Sequence, residues 1–129
     1  ILAKALVQAT TQVGVRFRWN TGPPVNTYEV WFRPSTDTIE YYKCVNGTWS
    51  QVATASRASA IDVFYKLKVD QRDEGTNYRV KVYWENETSP CINNLESPRS
   101  TNSGKVRLKV YVGTAGGKAD FDYFRMWTE

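Results

Sequence analysis

Residues 13 to 19 read VGVRFRW, and the same one-by-one alternation of apolar and polar side chains recurs along most of the chain. A strand sends successive side chains to opposite faces, so this period describes strands with one buried and one wet face. Val13, Val15, Phe17 and Trp19 share one side, with Arg16 and Arg18 on the other. In TYEVWFRP, Tyr28, Val30 and Phe32 alternate with Glu29, Trp31 and Arg33, and Pro34 ends the strand because it has no amide to donate. TIEYYKCV sets Ile39, Tyr41, Lys43 and Val45 against Glu40, Tyr42 and Cys44. Asn46-Gly47 follows, a turn pair suited to positive φ, and Trp49 opens the return strand.

Further on, Tyr65, Leu67 and Val69 face inward, and so do Tyr78, Val80, Val82 and Trp84, leaving Arg79, Lys81 and Tyr83 outside. KVRLKVYVG alternates again, and KADFDYFRMW supplies the last strand. The opening ILAKALVQATTQ fits a short helix or a strand, and the β context favours the strand. ENETSPCINNLESPRSTNSG is expected to be a polar surface connection. ATASRASAID is too short and too rich in serine to stand as a helix. The sum is all-β: about eight antiparallel strands in a β-sandwich, or jelly roll.

The 129 residues, 41% of them hydrophobic, suit a single domain spanning 1–129 with a real core. No apolar run approaches the roughly 20 residues of a membrane-spanning helix. The chain begins at Ile1 without a visible signal peptide, and is expected to be a processed chain or a piece of a longer one. The net charge of +4 is interleaved along the strands, which describes a solvated surface. An acidic polysaccharide is the secondary expectation, ahead of nucleic acid.

The chain has no histidine, so no Ser-His-Asp triad can form and zinc chemistry is all but excluded. Paired carboxylates would suit a glycosidase, but Asp62, Asp70, Asp73, Glu74, Glu85 and Glu87 sit mostly at strand ends and turns. Catalysis is therefore not expected. Cys44 and Cys91 are either two buried thiols or one disulfide. The disulfide is the favoured expectation, stabilising by roughly 4 kcal/mol and placing the protein outside the reducing cytosol. Asn46-Gly47-Thr48 and Asn86-Glu87-Thr88 are glycosylation sequons that point the same way.

The outward residues of the middle strands form the best binding constellation. Trp31, Arg33, Arg16, Arg18, Tyr42 and Tyr83 are the candidate ligand-binding residues, with Glu29, Glu40, Arg79 and Lys81 beside them. Aromatic rings stack on sugar faces, and charged side chains hydrogen-bond hydroxyls or carboxylates. The same pairs would also stabilise any exposed sheet.

Three stretches carry a resemblance. They are the run from VGVRFRW through the KCVNGTW hairpin, the pair DVFYKLKVDQRDEGTNYRVKVYWE, and the closing SGKVRLKVYVGTAGGKADFDYFRMW. Their order over residues 13 to 127 resembles the concanavalin A-like, laminin-G-like jelly-roll superfamily. That resemblance implies a non-catalytic extracellular carbohydrate-binding or adhesion module at the cell surface. It implies a structural calcium held by an aspartate of the last strand, for which Asp120 and Asp122 are the candidates. It also implies missing first strands, so that a neighbouring subunit or another part of the same precursor would complete the sheet. The alternatives are a subunit of an extracellular filament or surface layer, and an accessory domain of a polysaccharide-active hydrolase or lyase.

Overall fold

The computed structural model describes residues 2–6, 11–19, 25–60, 63–98, 104–112 and 120–125, the first and last segments as backbone. They form β1 (Leu2–Leu6), β2 (Thr11–Trp19), β3 (Thr27–Arg33), β4 (Thr38–Val45), β5 (Thr48–Ser56), β6 (Phe64–Glu74), β7 (Asn77–Trp84), β8 (Ile92–Glu96), β9 (Lys105–Val112) and β10 (Asp120–Arg125). A single 3-10 turn at Pro34–Thr36 separates β3 from β4. Two antiparallel five-stranded sheets result, ordered β10-β1-β6-β7-β8 and β5-β4-β3-β2-β9. The protein is thus an all-β sandwich, and among the described residues no helix is long and apolar enough to cross a membrane.

Alternation builds the core directly. Val13, Val15 and Phe17 of β2, Tyr28, Val30 and Phe32 of β3, and Ile39 and Tyr41 of β4 meet Leu67, Val69, Tyr78, Val80, Val82 and Trp84 of the facing sheet. At one end, Phe17, Tyr28, Tyr41 and Tyr78 pack ring against ring, with Tyr28 and Tyr78 centroids 5.0 Å apart. At the other, Trp84 lies between Phe32 at 4.6 Å and Tyr65 at 4.8 Å. Such offset pairs add to the stabilisation from burying large aromatic surfaces.

Three expectations change. The segment after Cys91 is not simply a loop: Ile92–Glu96 joins β7 as an edge strand, with Ile92 buried in the core. A buried polar junction holds its end, where Glu96 accepts hydrogen bonds from the Tyr28 hydroxyl and from Lys43 Nζ at 3.2 Å. Neither residue type signals a strand, because both act across the sandwich.

The alternation of β2 also breaks. Arg18 takes φ 51°, and the β2–β9 register slips between Arg16 and Trp19. This bulge turns Trp19 onto the Arg16 side of the sheet and sends Arg18 to the rim. Gly104 makes the bulge possible, since a Cβ there would lie 2.3 Å from the Arg18 carbonyl carbon.

The expected disulfide is absent: Cys44 and Cys91 are both free thiols. Cys44 pairs with Trp49 at the start of β5. Cys91 lies within reach of the Arg57 charge, beyond the other end of β5. The length of β5 therefore separates them, roughly 25 Å along the strand at about 3.3 Å per residue. A disulfide needs Cα atoms about 4.4–6.8 Å apart. The thiols are satisfied locally instead, by the carbonyl oxygens of Val25 (3.6 Å) and Val82 (3.2 Å). The compartment argument built on the disulfide falls with it.

Candidate binding face

The outer surface of the β5-β4-β3-β2-β9 sheet is laid out by its register. One cross-strand row runs Lys109, Gly14, Trp31, Glu40 and Thr54. The next runs Arg107, Arg16, Glu29, Tyr42 and Gln51. Thr27, Cys44 and Trp49 form the middle and far end of a third row, at whose near end the bulge brings Trp19 opposite Lys105.

Glu29 is the hub. Its side chain is 6% exposed and receives the Arg16 guanidinium, Trp31 Nε1 at 2.8 Å and Lys109 Nζ at 2.9 Å. One carboxylate thus neutralises charges from two neighbouring strands, and burial makes each charge-assisted bond stronger than its exposed counterpart.

Trp31 faces outward as the alternation requires, but its ring is already engaged. A Cβ on Gly14 would come within 2.9 Å of the Trp31 benzene ring, so the indole lies across the glycine. Lys109 Nζ stands 5.1 Å from the ring centroid. Arg33 and Glu40 are paired at 2.7 Å, and the Tyr42 hydroxyl donates to Glu40 at 2.8 Å. Partial burial, helped by that bond to Glu40, raises the Tyr42 pKa above its ordinary value.

A second motif crosses the face below Trp31. Arg107 lies 4.0 Å from the Trp19 ring, and Arg16 lies between Trp19 at 5.9 Å and Trp49 at 5.3 Å. Guanidiniums and indoles therefore alternate from β9 through β2 to β5. Each contact is worth about 0.5–1 kcal/mol at an exposed site. Trp49 remains 43% exposed and Tyr111, farther along β9, 58%. These are the rings most open to a ligand on this face.

The other expected site residues do not join it. Arg18 pairs with Asp73 at 2.7 Å and lies over the Tyr78 ring at 4.0 Å, tying the two sheets at their rim. Tyr83 belongs to the outer face of the opposite sheet, beneath Lys68. There, Asp70, Arg72, Glu74, Arg79 and Lys81 surround a shallow depression. Asn46 and Asn86 are both exposed at turns, where a glycan would project into water. The side chains of Asp120 and Asp122 lie outside the described residues.

Of the carboxylates weighed for catalysis, Asp70 and Glu74 share the depression on the opposite sheet, among three cations, and the others are dispersed. Asp73 holds Arg18, Glu74 holds Arg79 and Glu87 holds Arg57 at 2.7 Å. Glu85 accepts the Lys66 amide at 2.6 Å. Asp62 lies outside the described residues.

Sequence reasoning passed over Trp49, Trp19, Arg107 and Lys109. KVRLKVY does carry the period that places Arg107 and Lys109 on one face, and Trp49 stands plainly beside the hairpin turn. Trp19 has no such signal, because the Arg18 bulge reverses it.

No protein-family model matches the chain, and no curated protein sequence matches it. Among solved structures the fold is similar to the carbohydrate-binding module CBM66 from Bacillus subtilis. The TM-score is 0.70 at 20% identity, over 93% of this chain and 68% of that one.

Proposed function

We propose that the protein is a non-catalytic carbohydrate-binding module of the concanavalin A-like kind, and that it binds its glycan on the outer face of the β5-β4-β3-β2-β9 sheet. The observation that carries this reading is Trp49, a large indole 43% exposed on a broad sheet face, flanked by Arg16. An indole in that position offers an apolar plane for a sugar ring, while neighbouring guanidinium and amide groups supply donors for its hydroxyls. Gln51, two residues along β5 from Trp49, pairs with Tyr42 in the neighbouring cross-strand row. The likeness in fold to a carbohydrate-binding module supports the reading without fixing the sugar.

The test is affinity electrophoresis in gels containing a panel of soluble polysaccharides. Trp49→Ala should abolish the retardation that the parent chain shows. Trp31→Ala should weaken it less, because that ring lies on Gly14 beneath Lys109. Absence of retardation of the parent chain on every polysaccharide, repeated on a glycan array, would count against the proposal.

A further inference from the structure

The outward side chains of β9 are Lys105, Arg107, Lys109 and Tyr111, at every second position of an edge strand. Three cations therefore stand in line over roughly 13 Å, at about 6.7 Å for every two residues. Arg107 is directly opposite Arg16 in the β2–β9 register. Like charges facing each other across strands are destabilising, and among the described residues the Trp19 ring lies against both. The acid nearest to them does not balance the set. Glu29 is nearly buried and already shared between Arg16 and Lys109, and Glu40 is taken by Arg33. Among the described residues, Arg107 has no carboxylate partner and Lys105 has no ion pair. The surplus is thus positive, linear and exposed, and it borders the aromatic face.

We propose that this β9 stripe binds an extended anionic glycan, one bearing carboxylates or sulfates, with Arg107 and Lys105 reading the acid groups and Tyr111, on the same strand, stacking on a sugar ring. The inference rests on the carbohydrate-binding reading above and names the class of glycan. Arg107 is the central reader, since its guanidinium lies over the Trp19 ring at 4.0 Å, a contact that preorganises it. A polymer laid along an edge strand can meet successive cations at the strand's own spacing. The chain's net charge of +4 acts in the same direction by raising the local concentration of polyanions.

The experiment uses the whole chain in gels cast with polygalacturonate, dextran sulfate or neutral dextran, at low and high salt, with circular dichroism to show that each variant is folded. Retardation by polygalacturonate or dextran sulfate is expected. Affinity should fall about tenfold in Arg107→Gln, the loss of one charge-assisted contact. It should also fall steeply as salt rises and the screening length shrinks. Lys81→Gln, an equal charge change on the opposite sheet, should leave binding within about twofold. Equal losses in Arg107→Gln and Lys81→Gln would mean diffuse attraction and overturn the stripe. Retardation by neutral dextran alone, insensitive to salt, would overturn the anionic class while sparing the carbohydrate reading. Binding to a DNA duplex as tight as to the acidic glycans would overturn the glycan class. No retardation in any of these three gels would overturn the anionic class, while the carbohydrate reading would stand or fall on the polysaccharide panel and glycan array.

Discussion

Gly14 shows how one missing methyl group shapes the binding face. Its Cβ position is occupied by the Trp31 ring at 2.9 Å and by the Val30 carbonyl oxygen at 2.5 Å. Gly14→Ala must lift the indole or spread β2 from β3, so it should destabilise the protein by about 1–3 kcal/mol, read from urea denaturation. The buried hydroxyls divide in the same way. Tyr28 hydrogen-bonds Glu96, whereas the Tyr41 hydroxyl is buried without a partner among the described residues. Tyr41→Phe should therefore be neutral or stabilising by up to about 1 kcal/mol. Tyr28→Phe should cost about 1–3 kcal/mol by weakening the support of a buried carboxylate. Matched unfolding curves for the two variants check both, and a Tyr41→Phe loss as large as that of Tyr28→Phe would refute the distinction. The side-chain types at these positions were legible in the sequence. Their unequal hydrogen bonding was not, since Glu96 lies 68 residues from Tyr28.

Strands, more than residues, decide the fate of the cysteines. Cys44 is fully buried although its position on β4 faces outward. Val25 accepts the Gly47 amide at 2.9 Å as well as the thiol, which folds its segment over that part of the sheet. Burial raises the Cys91 thiol above its ordinary range. Both thiols should react slowly with a disulfide reagent in the native state and fully after denaturation, and oxidation should yield no intramolecular crosslink by mass spectrometry. A native Cys44–Cys91 bridge in that experiment would overturn the strand placement. Elements were read well wherever alternation ran unbroken, as along β3, β4 and β7. The β8 strand was missed because INNLE places only Ile92 and Glu96 inside, too little apolar signal for so short a run. Trp19 was assigned to the wrong face because a period-two reading reverses after any bulge.

The two sheets share one aromatic core, and this couples the whole molecule to alkaline pH. Burial raises the pKa of Tyr41 and Tyr78 well beyond the ordinary tyrosine range. A raised folded-state value favours the protonated phenol, so this contribution is fully present below the unfolded value of about 10. Above about pH 10 the unfolded chain gains charge that the folded chain resists, and stability should fall. Urea midpoints measured from pH 8 to 11 should decline most steeply above 10, and Tyr41→Phe should flatten the decline. A flat profile would argue that these phenols are not buried together. At this scale the sequence alone determined the fold class, most of the inward set of apolar residues and the outward direction of Trp31 and Arg16, because strand periodicity is a local property. Only the tertiary structure decided that Glu29 binds two strands' cations, that Arg18 leaves the face, that Cys44 and Cys91 stand a strand apart, and that Trp49 is the open ring. Each of those depends on which strands become neighbours, and pairing between segments far apart in the chain leaves no mark on the residues of either one.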